Sequence, residues 1–308
     1  MNSRPGSGAA EPAAPEPAAV KPTGELPTGP RRLAVLGSPI GHSRSPQLHR
    51  AAYRELGLDW SYEAVDLPEG ELVDFVSGLS PEWRGLSVTM PLKREAMALS
   101  AGCDRVAELS SSVNTLLLGE PGGPVHGFNT DVPGLVRALA EAGMTRARHV
   151  TILGAGATAA SALVAAAELG AQTIDVVVRS TAKATALVEL GHQLGLIVTV
   201  SSLANIAAGG RDSDLVISTL PGGTVLDTQF PAELRRRALL FDVAYAPWPS
   251  ALGRSWTTAD GQVASGLGML LHQALIQVRI FVTGNPLTPV PQEAAVLAAM
   301  RSTLPETA

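Results

Sequence analysis

The sequence predicts an α/β protein of two domains, the second of which carries a doubly wound parallel sheet. Its 308 residues suit two domains of about 100–200 residues each. Short apolar runs alternate with segments of helical spacing up to residue 131, and the same alternation starts again beyond it. Repeated alternation of this kind is typical of parallel sheets whose faces are covered by helices.

The first alternating segment starts at Arg31. We predict strands at residues 33–36, 60–65 and 86–88, and helices at residues 46–56, 70–79 and 92–99. A hairpin follows residue 113 and turns at residues 119–124, and a helix at residues 131–142 leads into the second domain. We therefore expect a largely parallel sheet in the first domain.

The second alternating segment has the pattern of a doubly wound unit. We predict its strands at residues 149–153, 173–178, 197–200, 215–218 and 239–243, and its helices at residues 157–169 and 183–194. Two further helices are expected at residues 266–281 and 291–301. Residues 1–30, which are rich in Pro, Ala, Gly and Ser, have no amphipathic period and are predicted to be a disordered tail.

Composition narrows the classes of partner. The net charge of −5 gives no general attraction for nucleic acid or anionic lipid. No apolar run approaches the roughly 18–20 residues that cross a bilayer, so no membrane association is expected. Cys103 is the only cysteine, which excludes an internal disulfide and favours a cytoplasmic location. No cluster of His, Cys or carboxylate residues predicts a metal site.

A glycine-rich turn opens the second domain where its first predicted strand ends. Residues 154–159 read GAGATA and match the G-x-G-x-x-G/A fingerprint, with a strand before them and a helix after them. A helix N-terminus in this position offers free N–H groups to a pyrophosphate. We therefore predict that a dinucleotide is bound by Gly154, Ala155, Gly156 and Ala157.

The end of the next predicted strand favours NADP over NAD. Proteins that prefer NAD usually carry an acidic residue there, which binds the ribose hydroxyls. Here the strand ends in Val178 and is followed by Arg179, whose guanidinium can pair with a 2′-phosphate through two hydrogen bonds. Ser180 and Lys183 can add a donor and a second positive charge, whereas Asp175 lies too early in the strand.

Polar residues are concentrated in four segments of the first domain, at residues 37–49, 85–93, 112–115 and 127–134. They supply hydroxyls, amides, a lysine and an aspartate near the ends of successive predicted strands. A purely structural domain does not need these groups there, and open α/β sheets bind ligands at this edge. We therefore predict a small-molecule site in the first domain.

These four segments resemble those of the shikimate dehydrogenase family. The family patterns Pro-Ile-x-His-Ser-x-Ser-Pro, Val-Thr-x-Pro-x-Lys, Asn-Thr and Asn-Thr-Asp-x-x-Gly occur here in that order, at residues 39–46, 88–93, 114–115 and 129–134. A Tyr-x-Pro segment at residues 245–247 and a late helix start at residues 266–274 are also similar to the family's. The resemblance covers about residues 31–281.

The resemblance implies two α/β domains with a cleft between them. Residues 31–133 plus 266–308 would form the substrate-binding catalytic domain, and residues 134–265 the Rossmann-type NADP domain. The implied reaction is the reversible, NADPH-dependent reduction of 3-dehydroshikimate to shikimate, in the pathway to chorismate and aromatic amino acids. The expected partners are small molecules, and the chain would act as a monomer or homodimer.

The resemblance also implies the roles of single residues. Lys93 and Asp131 would be the catalytic pair. The substrate would be bound by Ser43, Ser45, Thr89, Asn114, Tyr245 and Gln273. Gly266 and Met269 would lie near the nicotinamide. The Lys93 ammonium can stabilise a developing alkoxide or supply its proton, and these two roles stay open. His42 and His49 are expected to be structural.

Four positions depart from the family pattern. Ser87, Arg50 and Val178 stand where Asn is common, and Ser180 stands where Thr is usual. These changes leave the catalytic pair intact but bear on substrate preference and cofactor affinity. Three alternatives remain: a quinate/shikimate dehydrogenase that uses NAD, a nucleotide-binding sensor on the same scaffold, and a dehydrogenase for an unrelated ketone. The paired serines argue against the last, and the retained Lys93 and Asp131 argue against the sensor.

Overall fold

We describe the protein from a computed structural model, over residues 26–120, 122–206 and 212–305. The predicted tail of residues 1–30 lies outside the described residues except for its last five. Two six-stranded sheets organise the described part of the chain, one built from its amino-terminal half and one from the residues after 148.

The first sheet has the strand order β2-β1-β3-β5-β6-β4. Its strands are β1 (Arg31–Gly37), β2 (Trp60–Asp66), β3 (Trp83–Val88), β4 (Gly102–Cys103), β5 (Thr115–Leu118) and β6 (Val125–Phe128). Strand β5 runs antiparallel to both β3 and β6, whereas the remaining pairs are parallel. The sheet is therefore mixed rather than largely parallel, because a short hairpin can join β5 and β6 only as antiparallel neighbours.

The helices around this sheet are α1 (Ser45–Glu55), α2 (Leu72–Ser77), α3 (Lys93–Leu99), α4 (Arg105–Ser110) and α5 (Asp131–Glu141). The sequence pattern predicted all of them except α4 and also missed the two-residue strand β4. Helix α4 is shorter than two turns and β4 is shorter than a usual strand, so neither shows a periodic apolar pattern in the sequence. Helices α3 and α5 begin at Lys93 and Asp131, which places these two side chains at the starts of their helices.

The second sheet is entirely parallel, with the order β12-β11-β10-β7-β8-β9. Its strands are β7 (His149–Leu153), β8 (Thr173–Val178), β9 (Ile197–Ser202), β10 (Leu215–Ser218), β11 (Leu239–Asp242) and β12 (Val263–Ser265). Its helices are α6 (Ala157–Glu168), α7 (Thr185–Gln193), α8 (Ala232–Arg237) and α9 (Ala251–Thr257). This order confirms the predicted doubly wound fold, and its switch point lies between β7 and β10.

Helix α10 (Gly266–Thr283) packs against the first sheet and α5, and α11 (Glu293–Arg301) packs against α1. Leu275 and Phe281 of α10 share a buried core with Leu33 of β1 and Tyr53 of α1. Helix α10 is long and apolar enough to cross a membrane by length and composition alone, but 83% of it is buried inside the protein, as in a core helix. The sequence pattern did not indicate a membrane span there because polar side chains interrupt the apolar run.

Candidate active site

A cavity of about 300 Å³ lies between the carboxyl-terminal edges of the two sheets. The predicted catalytic and substrate-binding residues all line it: Ser43, Ser45, Thr89, Lys93, Asn114, Asp131, Tyr245 and Gln273. Gly266 and Met269, predicted near the nicotinamide, line it too. Segments far apart in the chain therefore meet at one site, as the sheet-edge argument predicts.

Lys93 and Asp131 form an ion pair in the wall of the cavity. The Lys93 ammonium donates to Oδ2 of Asp131, and the side chains are only 11% and 8% exposed. The other carboxylate oxygen, Oδ1, accepts a 2.9 Å hydrogen bond from the Asn114 amide. Because the carboxylate is held from two sides, it can hold the ammonium in one position facing the cavity.

The Asn114 side chain has a fixed orientation. Its Oδ1 accepts the backbone N–H of Thr130 at 2.9 Å and the hydroxyl of Thr115 at 2.8 Å. These contacts assign the amide nitrogen to the Asp131 side, since a backbone N–H can only donate. Asn114, predicted to bind the substrate, therefore also orders the Lys93–Asp131 pair.

A buried polar network, which sequence reasoning missed, supports this wall. Ser87 and Gln277 both line the cavity, and the Ser87 hydroxyl donates to Gln277 Oε1 at 2.8 Å. Tyr62 donates to the Ser87 hydroxyl at 2.6 Å, and the Gln277 amide donates to the Thr115 hydroxyl at 2.9 Å. Gln277 lies one helical turn beyond Gln273, so the i, i+4 spacing on α10 was the pattern that could have indicated it.

His49 belongs to this network and not to the cavity wall. Its ring stacks on Tyr62 with centroids 4.0 Å apart, and its Nε2 lies 3.2 Å from Gln277 Oε1. Since that oxygen only accepts, Nε2 carries the proton and Nδ1 accepts from the Tyr53 hydroxyl at 3.0 Å. Burial lowers the pKa of His49 to about 3, so the ring is neutral. His42, by contrast, is exposed and lines the cavity.

The lining of the cavity also includes Ser43, Ser45 and Tyr245. Ser43 precedes α1 and accepts the backbone N–H of Ser45 at 3.3 Å, which leaves its own hydroxyl hydrogen free to donate to a ligand. Tyr245 follows β11 and comes from the side of the second sheet. Burial raises the pKa of Tyr245, an effect that nearby Arg44 partly opposes, so the phenol is a neutral donor.

The glycine turn leaves room for a phosphate at the start of α6. Gly154 has a φ of +111°, and a Cβ there would lie 2.4 Å from Thr219 Oγ1, so a side chain does not fit. Nothing lies within 4 Å of a Cβ built on Gly156, and no side chain caps α6. The first N–H groups of the helix therefore face open space, as a pyrophosphate site requires. Ala155 lies in the same turn, and Ala157 is the first residue of α6.

Arg179, Ser180 and Lys183 are exposed just beyond β8, the strand next to β7. Parallel pairing of β7 with β8 sets them at the same sheet edge as the glycine turn. Asp175 lies in the middle of β8 and accepts hydrogen bonds from the Thr199 and Ser201 hydroxyls of β9, so it does not lie at that edge. The donors present there suit an anionic 2′-phosphate. Among the described residues, no group of three or more His, Cys, Asp or Glu side chains could hold a metal ion.

The doubly wound sheet and its glycine turn, set beside a lysine–carboxylate pair, define an oxidoreductase that depends on a dinucleotide. Residues 35–116 match the family model described as the shikimate dehydrogenase substrate binding domain. The shikimate dehydrogenase (NADP(+)) of Methanothermobacter thermautotrophicus is 33% identical over 267 residues, which span 84% of this chain and 94% of that protein. The chain belongs to the shikimate dehydrogenase family.

Solved structures agree with this assignment. The shikimate dehydrogenase of Mycobacterium tuberculosis is 40% identical, with a TM-score of 0.74 over 89% of this chain and 100% of that one. The shikimate 5-dehydrogenase of Thermus thermophilus is 30% identical, with a TM-score of 0.73 over the same shares. That enzyme was solved in complex with NADP(H) and shikimate.

Proposed function

We propose that this chain catalyses the reversible, NADPH-dependent reduction of 3-dehydroshikimate to shikimate. The observation that carries the proposal is the buried Lys93–Asp131 pair, which lies in a cavity shared with hydroxyl and amide donors and next to a dinucleotide turn. The curated relatives have the same activity in their names. In the cell the reaction belongs to the shikimate pathway, which leads to chorismate and the aromatic amino acids.

The residues around the cavity divide into two groups by chemistry. Ser43 and Ser45 provide hydroxyl donors beside the start of α1, which suits the substrate carboxylate. The ring oxygens are assigned to Thr89, Asn114 and Gln273, which lie on the side of the catalytic pair. Tyr245 closes the mouth from the second sheet. A ketone substrate without a carboxylate would not need the hydroxyl donors of Ser43 and Ser45.

The reaction adds a hydride to the carbonyl carbon and a proton to its oxygen. NADPH, held at the glycine turn and by the residues after β8, would supply the hydride. The Lys93 ammonium lies where it can stabilise the negative charge that develops on the oxygen and then give up its proton to it, after which it regains one from water. Asp131 keeps the ammonium in place and can accept a hydrogen bond from a neighbouring ring hydroxyl.

The residues that would hold the cofactor fit NADP. The pyrophosphate is assigned to the turn of Gly154, Ala155, Gly156 and Ala157, and the 2′-phosphate to Arg179, Ser180 and Lys183. Gly266 lets the start of α10 approach the backbone of Val243 closely, because a Cβ there would lie 2.0 Å from the Val243 carbonyl oxygen. We assign the nicotinamide to this part of the cleft. Met269 offers an apolar surface beside it.

The organisation of the protein follows from the same proposal. Residues 31–133 plus 266–308 form the substrate-binding catalytic domain, and residues 134–265 form the NADP domain. The packing of α10 on the first sheet supports this division. The enzyme works in the cytoplasm on small molecules, without nucleic acid or membrane, as a monomer or homodimer.

A second candidate function is that of a quinate/shikimate dehydrogenase, which oxidises shikimate or quinate with NAD. One observation favours it: the shikimate 5-dehydrogenase of Listeria monocytogenes, 26% identical to this chain, was solved with shikimate and NAD. Arg179 and Lys183 argue for NADP, because NAD has no 2′-phosphate to pair with them.

The test is the absorbance at 340 nm of purified protein with shikimate, with quinate in parallel, each with NADP and with NAD. We expect a rise with shikimate and NADP, and a much slower one with NAD. A rise chiefly with NAD would favour the second candidate. Folded protein that binds NADPH and turns over neither acid would contradict the proposal and indicate a nucleotide sensor.

A further inference from the structure

Asn129 lies two residues before Asp131, the first residue of α5, and its side chain is buried, with only 1% of the residue exposed. Its Oδ1 accepts the backbone N–H of Asp131 at 2.9 Å and that of Val132 at 3.3 Å. These N–H groups have no partner within the helix, so the Asn129 side chain fixes where α5 begins. It therefore fixes the position from which the Asp131 carboxylate reaches Lys93, although the reaction steps above give Asn129 no role.

The other end of the Asn129 amide faces three acceptors from different parts of the chain. Its Nδ2 lies 2.7 Å from the Ser110 hydroxyl, 3.0 Å from the Ser112 carbonyl oxygen and 3.1 Å from the Ser161 hydroxyl. The first two belong to α4 and the loop after it, beside the first sheet. Ser161 belongs to α6, beside the second sheet.

Ser161 is fully buried on the second turn of α6, the helix that opens at the glycine turn. Within the described ranges, its hydrogen bond to Asn129 is the only one that joins a side chain of α6 to the loop before α5. Other contacts between α5 and α6 are apolar, such as those of Val132 and Ala162 in one shared core. Apolar contacts resist separation but do not orient an amide.

An amide nitrogen has two hydrogens, and here three acceptors compete for them. Hydrogen bonds weaken steeply as they lengthen or bend, so a small displacement of α6 changes the share that Ser161 receives. The amide plane of Asn129 then rotates, and Oδ1 moves with it against the N–H groups of Asp131 and Val132. A displacement at the cofactor helix thus reaches the catalytic carboxylate through one rigid group.

We infer that Asn129 is a positioning residue, which links the seating of the cofactor phosphates at α6 to the orientation of the Asp131 carboxylate. The inference rests on the proposed function and deepens it. Two ligands that both favour the same arrangement of Asn129 bind cooperatively, and each raises the affinity of the other by the same factor. Shikimate, through Asp131, and NADPH, through α6, are these two ligands.

The variant that tests the link is Ser161→Ala, which removes one acceptor and leaves the Asn129 contacts to α5 in place. Shikimate and NADPH are both reduced and do not react, so calorimetry can give the Kd of shikimate with and without saturating NADPH. We expect the wild-type ratio of these constants to be at least about 5, in the usual range of coupling. In the variant the ratio falls below about 2, while the Kd of shikimate alone is unchanged and kcat declines.

The matched control is Ser213→Ala, which removes another buried hydroxyl beside the second sheet, one paired with Thr151 and not with Asn129. It loses stability but keeps the wild-type ratio and kcat. A ratio near 1 in the wild type, or equal ratios in the wild type and Ser161→Ala, overturns the inference. Failure of the proposed function would show separately, as wild-type protein without shikimate-dependent turnover.

Discussion

The phenol of Tyr62 donates a 2.6 Å hydrogen bond to the hydroxyl of Ser87, which lines the cavity. Ser87 in turn donates to Gln277, so both its hydrogen and one of its lone pairs are used inside the protein. The Ser87 hydroxyl is therefore held still as part of the wall and has no hydrogen left for a substrate. This separates Ser87 from Ser43, whose hydrogen is free.

Tyr62→Phe should lower both stability and substrate affinity. Loss of this buried hydrogen bond reduces the free energy of unfolding by about 1 kcal/mol, as measured by urea denaturation. Release of Ser87 raises the KM for shikimate by about 2–10-fold with little change in kcat. The control is Tyr53→Phe, which breaks the equally buried bond to His49 but leaves Ser87 held. An equal rise in KM for both variants would contradict the prediction.

Lys93→Met should abolish turnover while sparing the nucleotide site. Without the ammonium, the developing alkoxide loses both its stabilising charge and its proton source, so kcat drops by about 10²–10⁴-fold. The Kd of NADPH, measured by fluorescence, stays within about twofold because the glycine turn lies on the other sheet. Arg94→Met is the control, since Arg94 is the exposed neighbour on the same helix. A comparable loss of NADPH binding would instead assign Lys93 a role in holding the fold.

Arg179→Ala should weaken NADP selectively. A charge-assisted hydrogen bond is worth about 1.5–3 kcal/mol, so the KM for NADP rises by roughly 10–150-fold. The KM for NAD, which lacks the 2′-phosphate, stays the same in the same assay. Arg148→Ala removes a charge from the opposite edge of the second sheet and serves as the control. A parallel rise in both KM values would show that Arg179 does not contact the phosphate.

His49 should make the protein sensitive to acid. Its pKa is about 3 in the folded chain against 6.5 in the unfolded chain, so between these values only the unfolded chain binds the proton. This contribution lowers the free energy of unfolding by about 1.4 kcal/mol for each pH unit below 6.5. Well above pH 6.5, His49 is neutral in both the folded and the unfolded chain, so it adds no pH dependence to the free energy of unfolding.

The test of the His49 prediction is urea unfolding of the wild type and of His49→Gln at several pH values between about 4 and 7. In this range the folded and unfolded chains differ in how much proton they bind at His49. Burial raises the pKa of Asp104 to about 6, which acts in the opposite direction, and this contribution is common to both proteins. We expect a smaller loss of stability on acidification in the variant. Parallel curves would mean that His49 is already protonated or solvated in the folded protein.

The sequence was enough to predict that Lys93 and Asp131 act as a pair and that a glycine turn opens the second domain, because each lies in a local motif. Lys93 and Asp131 follow strand-end patterns, and the turn at Gly154 requires a positive φ that glycine supplies. The doubly wound order of the second sheet followed from its regular alternation. These features depend on neighbours in sequence, which a single chain displays directly.

The supporting network could not be predicted in the same way. Ser87 meets Gln277 across 190 residues of chain, and His49 meets Gln277 across 228. Nothing local to any of these residues indicates which distant hydroxyl or ring will face it. The hairpin of β5 and β6 was predicted, but the antiparallel pairing of β5 with β3 was not, since apolar alternation marks a strand without marking its partner. Asn129 stood in a recognised motif, yet its contact with Ser161 depends on how two sheets pack.

Helices α10 and α11 complete the core beside the first sheet, which affects the order of folding during synthesis. Leu33 and Tyr53 leave the ribosome more than 200 residues before Leu275 and Met300, with which they share a core. The second sheet, complete by β12, can fold while that earlier core is still open. The first sheet is thus translated before the second sheet but completes its core after it. Until α10 and α11 are made, the apolar residues of that core stay exposed and can aggregate.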